Sequence, residues 1–404
     1  MKGFSHNKII IAMLSLGLAS SVFAQDGIND TTGYASNYTV TGNEMTMDFA
    51  NIDWHVVKVN SASELKKALS NAKAGDKIVI AAGTYTGFFK LTKGGSQERP
   101  IWIVGEDSKN MPILNGNDYN NKIVLSINGT SNKPEEGISY IYIQDIEVMN
   151  GRTGIALDQA DYVTIDNVTV HEVGQAGIHL RDGSSYNIVK NSTVYNTGLY
   201  NVKYGEAVYI GSDYTKWDGT GKSSRTYDPA VNYNQILTNT LGPNVTAEHI
   251  DVKEGSSYSY IIGNTFNAAG MIDILNGGLS YIDFKGNYTE AAYNTGNQNG
   301  NKYFDNAFEI NEKSEGWGYH NNIHDNVLTF NDEYYRATKE PETLTIALGS
   351  KGKPQSKEST KSLFRTHWVV KNNVKDSNAT NVVSGNIRTP IDSNKMYVGK
   401  LTER

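Results

Sequence analysis

The segments DYVTIDNVTVHEVG (161–174), SYNIVKNSTVYNTG (185–198), NYNQILTNTLGPN (232–244) and SYSYIIGNTFNAAG (257–270) decide the fold. Each holds a short apolar strand, an asparagine-containing turn and a second short strand, and the first two begin 24 residues apart. Strands this short cannot bury a face alone, so a repeat of this period reads as one coil of a solenoid. YHNNIHDNVLTFN (319–331) and HWVVKNNVKDSN (367–378) keep the form more weakly. Asn167, Asn191, Asn239, Asn264 and Asn326 read as one register, a turn ladder of stacked amides that tolerates left-handed backbone.

Working outward, the composition agrees. The 404 residues include 39 glycines, 25 tyrosines and only 8 prolines, and long helical periodicities are nearly absent, as in an all-β chain with many tight turns. The convincing helical stretch is SASELKKALSNAK (61–73), with Ser61 and Glu64 as a capping box and Leu65, Ala68, Leu69 and Ala72 on one face. Placed before the first coil, it would cover the open end of the stack. The fold expected is therefore all-β, a single-stranded right-handed parallel β-helix over 51–375 with a short N-terminal capping helix.

At the N-terminus, Lys2 and Lys8, an apolar run from Ile9 to Leu18 and small residues before Ala24 read as a secretory signal peptide over 1–24. Polar segments are expected at 25–50 and 376–404. The sequence predicts a secreted or periplasmic monomer without a membrane span, cleaved near Ala24. With no cysteine, neither disulfides nor thiolate metal sites contribute. The net charge of −6 becomes −8 once the two lysines of the leader are removed, which argues against nucleic acid as a partner. A polyanionic partner would need a local basic strip or a bound cation.

The first strand of each coil aligns through inward apolar pairs: Ile155/Leu157, Ile178/Leu180, Val208/Ile210, Ile250/Val252 and Phe308/Ile310. The residues between and after them then point outward. One outward row reads Ala156, His179, Tyr209, Asp251 and Glu309; the next reads Asp158, Arg181, Gly211, Lys253 and Asn311. Two segments compete for the missing coil. YIDFKGN (281–287) would place Asp283 on Asp251 and Lys285 on Lys253, whereas MIDILNG (271–277) would place Asp273 and Leu275 there. Reuse of the Ile-Asp-x-Lys wording favours the first. Equivalent residues on adjacent coils sit about 4.8 Å apart, so Asp251, Asp283 and Glu309 form a carboxylate stack beside two lysines.

These residue types suit β-elimination on a uronate polysaccharide. Such a reaction needs a base for the C5 proton, positive charge against the carboxylate and a proton for the O4 leaving group. Lys253, Lys285 and Arg181 are the candidate catalytic cations. Tyr209, His179, Asp251, Asp283, Glu309 and Trp217 are candidate substrate contacts, and Trp217 belongs to an insertion that adds Lys216, Lys222 and Arg225. The alternative role of such charges is a salt-bridged, solvated strand face.

GEAVYIGSD (205–213) followed by EHIDVKEGSSYSYIIGNTF (248–266) resembles the chondroitinase B and alginate lyase family of parallel β-helix lyases. The resemblance implies an acidic polysaccharide as substrate, Lys253 as Brønsted base and Glu248 as a calcium ligand. With Asp251 and Asp283 beside it, calcium is the cofactor to expect. The Arg-His-Gly tract that the family carries on the following coil is replaced here by Ile274-Leu275-Asn276-Gly277. Two other readings stay open: a β-helix glycoside hydrolase using Asp251, Asp283 and Glu309, and a non-catalytic glycan-binding or adhesion protein.

Overall fold

A computed structural model describes Phe49 and residues 52–129, 137–217, 226–272, 280–301, 304, 306–330, 347–348, 368–372, 381–390 and 399–400. The leader over 1–24 and the segment 273–279, which includes Leu275, lie outside the described residues, as does nearly all of 25–50. No described helix is long and apolar enough to cross a membrane.

Three sheets of 11, 10 and 11 strands run the length of the described chain, all paired in parallel except Ile387–Pro390 with Gly399–Lys400, and the central coils give one strand to each sheet. One coil, for example, passes through Ile178–Arg181, Ile188–Lys190 and Thr193–Tyr195. The core is the space between the sheets, filled by the inward member of each alternation. Ile155, Leu157, Ile178, Leu180, Val208, Ile210, Ile250, Val252, Phe308 and Ile310 are all completely buried there. The helix Ala62–Asn71 packs Leu65 and Leu69 into the first coils. Its start is fixed reciprocally: Ser61 Oγ accepts the Glu64 N–H at 3.3 Å, and Glu64 Oε2 accepts the Asn60 N–H at 2.9 Å. Strands Val382–Ser384 and Ile387–Pro390 extend two of the sheets past residue 375, where the sequence had placed the end of the stack.

The asparagines occupy two registers, a correction to the single ladder expected. Asn167 and Asn191 hold the left-handed turn position, with φ of 51° and 50°, and Thr238 follows them at 54°. One residue later, Ser192, Asn239, Asn264, Asn294, Asn326 and Asn386 point inward and are buried. Asn264 donates to Ile236 O (2.8 Å) and Asn294 Oδ1 (3.0 Å), while its own Oδ1 accepts the Asn239 N–H (2.9 Å). The alanine variant Asn264→Ala leaves these partners buried and unpaired, so it should lose about 3–5 kcal/mol in denaturant unfolding. A loss below about 1 kcal/mol would show that the ladder is dispensable.

A second ladder was not legible in the sequence. Tyr140, Tyr162, Tyr186, Tyr233, Tyr258 and Tyr288 stack ring on ring at 4.9–5.0 Å, and His320 ends the column at 4.8 Å. All seven have φ between 53° and 59°. Left-handed backbone disfavours a bulky side chain by about 1–2 kcal/mol. Offset stacking at the coil spacing returns about 0.5–1.5 kcal/mol per pair, which is why tyrosine is tolerated there.

Candidate active site

The second sheet carries the outward rows. Cα pairing runs Ala156–His179–Tyr209–Asp251–Asp283–Glu309 through five consecutive strand pairs. The coil in dispute is therefore 281–287, with Asp283 on Asp251 and, two residues on, Lys285 beside Lys253. Although these residues point away from the core, neighbouring rows and turns cover them, and Asp251, Lys253, Asp283, Lys285 and Glu309 are all at most 8 % exposed.

Burial forces each charge to find a partner. Lys285 Nζ lies 2.7 Å from Asp251 Oδ1, 2.8 Å from Asp283 Oδ2 and 4.0 Å from Glu248 Oε1. Burial alone would lower its pKa, but Asp251, Asp283 and Glu248 outweigh that and hold the ammonium well above its ordinary value. Lys253 Nζ turns to different groups, Asp213 Oδ2 and Glu254 Oε2, each at 3.5 Å. The two lysines share a register but not their partners.

The carboxylates sort in the same way. Asp283 is held by Lys285 and by Asn311 Nδ2 at 2.7 Å, and Glu309 accepts from Asn306 and from Asn311. The set that converges is Glu206, Glu248 and Asp251, with one oxygen from each within 4.8 Å of the others. Glu206 thus takes the place expected for Asp283. The register contains the missed signal: Val208 pairs with Ile250, so Glu206 and Glu248, each two residues earlier, stack on one another.

Burial pushes the Glu248 carboxyl up. Lys285 opposes the rise, Asp251 and Asp283 add to it, and the result is about 8. Glu206 is raised well above the usual carboxylate range by burial, then by Glu248 and Asp251, and its Oε2 is buried without a hydrogen-bond partner. Three buried carboxylates with an orphaned oxygen are an all-oxygen donor set, which fits a hard cation such as calcium.

Tyr209 stands beside this cluster. Its phenol is pushed well above its usual pKa by burial and by the negative charges of Asp251 and Glu206, so it keeps its proton. Its ring stacks on His179 with centroids 4.3 Å apart. His179 Nε2 lies 3.0 Å from Gly211 O; a carbonyl only accepts, which assigns the proton to Nε2.

Arg181 lies in the Lys253 row with Gly211 between them, but its Nε and Nη2 grip Asp158 at 2.6 and 3.2 Å. It is a committed ion pair rather than a free cation. Trp217 donates from Nε1 to Ser212 O at 3.1 Å, covers Gly255 and meets Trp317 edge-on at 6.2 Å. It walls the Lys253 side of the site. Lys222 and Arg225 lie outside the described residues.

A crystal structure of alginate lyase from Paenibacillus sp. str. FPU-7 matches with TM-score 0.68 and 30% identity, covering 85% of this chain and 98% of that one. The chain belongs to the right-handed β-helix polysaccharide lyase family. A family model described as "Pel9A-like, right handed beta helix region" also matches, over residues 52–220. The crystal structure of pectate lyase Pel9A is more distant, at TM-score 0.52 and 13% identity over 84% of this chain and 76% of that one, and is similar in fold. No curated protein matches the chain. For a β-helix polysaccharide lyase relative, the acidic and basic rows on the second sheet are the natural place to seek chemistry.

Proposed function

We propose that this protein cleaves a uronic-acid polysaccharide of the alginate type by β-elimination, with Lys253 as base. The observation that carries the reading is the division of labour between the two lysines, in a chain 30% identical to an alginate lyase. Lys285 is fixed as a cation by carboxylates at 2.7 and 2.8 Å, whereas the nearest carboxylates to Lys253 are at 3.5 Å. Lys253 Nζ takes the C5 proton. The released pair forms the C4–C5 double bond, the C4–O4 bond breaks, and the Tyr209 phenol protonates the leaving oxygen.

Positive charge must meet the uronate carboxylate as C5 is deprotonated. Lys285 is committed to Asp251 and Asp283, so it positions those carboxylates. Glu206, Glu248 and Asp251 would hold calcium, which when bound supplies the positive charge. His179 orients the Tyr209 ring by stacking, and the Nε2–H bond to Gly211 O fixes the imidazole. Substrate arriving from outside the cell is consistent with the leader expected over 1–24.

The hydrolase reading weakens on one observation: Asp251 and Asp283 share a single ammonium, so neither is an independent acid or base. Mass spectrometry of oligosaccharides released from alginate separates the two. Elimination should give fragments lacking the water that hydrolysis adds; fragments carrying that water would reject the lyase reading.

A further inference from the structure

The turns that lead into the strands of the second sheet carry most of the exposed large apolar side chains of the described protein. Among them, Tyr119 is 42% exposed, Tyr200 55% and Tyr204 52%. These residues are far apart in sequence but meet in space. The Tyr200 N–H bonds to Gly174 O at 3.0 Å, and a side chain at Gly174 would run into the Tyr119 carbonyl and Tyr200 Cβ. Tyr204 closes a short 3-10 turn, Val202–Tyr204, which Thr246 Oγ1 anchors through Val202 O at 3.0 Å.

Cations accompany the rings. Lys122, Arg152 and Lys203 are exposed. The Arg152 N–H bonds to Lys122 O at 2.8 Å and the Gln175 N–H to Arg152 O at 2.6 Å, so these positions climb the wall coil by coil. The acids nearest in sequence do not face these cations openly: Asp118 Oδ1 accepts the Asn120 N–H, Glu147 lies 3.0 Å from His171, and Glu206 is buried. In a chain of net charge −6, this is a local reversal of sign.

The wall joins the candidate active site directly, since Tyr204 is followed by Gly205 and then by Glu206 of the acidic triad. Between the coil of Val208–Ile210 and that of Ile123–Asn128 lie three coil steps, about 14 Å along the helix axis. We infer that Tyr119, Tyr200 and Tyr204, with Lys122, Arg152 and Lys203, form a subsite strip for further sugar rings of the same polyuronate chain. The inference rests on the uronate reading of the site. Tyrosine faces pack against the apolar faces of pyranose rings while the cations meet their carboxylates, and an exposed aromatic patch beside a polar cleft is what such a ligand requires.

The test uses sodium alginate of high degree of polymerisation and an alginate trisaccharide, with full-length protein. For Tyr200→Ala/Tyr204→Ala and, separately, Arg152→Gln/Lys203→Gln, kcat/KM on the polymer relative to the trisaccharide should fall about tenfold, with KM carrying the change. Affinity electrophoresis in alginate gels, on a Lys253→Ala background, should show the same loss of retardation. An unchanged ratio and unchanged retardation would overturn the strip. So would a change in oligomeric state on size exclusion with alginate affinity intact, because the patch would then be an interface between copies. If no elimination product forms at all, the reaction assignment fails, while gel retardation still decides whether the strip binds polyuronate.

Discussion

Lys253→Ala is expected to lower kcat on alginate by about 10²–10⁴-fold, the range typical for removing a general base. The variant leaves behind Asp213, which is partly exposed, and the buried Glu254, whose Oε1 still accepts the Tyr214 N–H at 2.9 Å but whose Oε2 loses its cation. Some stability is therefore lost with the activity, so kcat is read below the variant's own melting transition. Lys285→Ala makes the contrast. It strands Asp251, Asp283 and Glu248 in a buried site without their shared cation, so a loss of about 3–5 kcal/mol in stability should accompany its loss of activity. If Lys253→Ala retains full activity while Tyr209→Phe also does, the assignment of base and acid is wrong.

The second large effect is electrostatic. Glu248 has its carboxyl raised to about 8 from an ordinary value of 4.5. Such a group costs nothing below 4.5, where folded and unfolded chains both hold the proton. As pH rises from 4.5 towards 8, the unfolded chain gives up its proton first, and the fold loses stability progressively. The shift, with the opposing effect of Lys285 already included, corresponds to a few kcal/mol. Glu248→Gln should therefore raise the melting temperature, most at pH 8 to 9, and flatten its fall with pH. Calcium should raise the wild-type melting temperature at pH 8 and have a weaker effect on the variant. A wild-type melting temperature that stays level from pH 5 to 9, or a variant less stable at pH 8, would count against the buried acidic triad.

The acidic cluster reads as stability given up for function. Glu206 Oε2 and Glu254 Oε2 are buried without hydrogen-bond partners, and Glu206, Glu248 and Asp251 crowd three carboxylates within 4.8 Å. An apolar or amide-lined row would be a more stable choice on this sheet. Conflicts of this kind between local chemistry and folding are expected where a site has work to do.

What the sequence made legible follows from periodicity. Inward pairs such as Val208/Ile210 and Ile250/Val252 fix the strand faces, and once faces are fixed, a repeated Ile-Asp-x-Lys fixes the register of Asp251 on Asp283. Direction within a row is not encoded this way. Lys253 and Lys285 stack in sequence logic, yet their flexible stems carry the ammonium groups to different carboxylates, and only packing decides which. Arg181 was legible as an outward cation but not as the partner of Asp158, one coil before it in the same row. Glu206 could have been found by carrying the Val208–Ile250 alignment two residues back. The tyrosine ladder could not be found from propensity, which disfavours tyrosine in left-handed turns; it exists because each ring is supported by its neighbours on adjacent coils.

The most direct test of the account is ultraviolet absorbance during incubation of the wild-type protein and Lys253→Ala with alginate. Elimination between C4 and C5 creates a double bond conjugated to the carboxylate. The account predicts a steady rise in absorbance near the ultraviolet edge for the wild type and almost none for the variant. Depolymerisation without that rise, or an equal rise with both proteins, would contradict it.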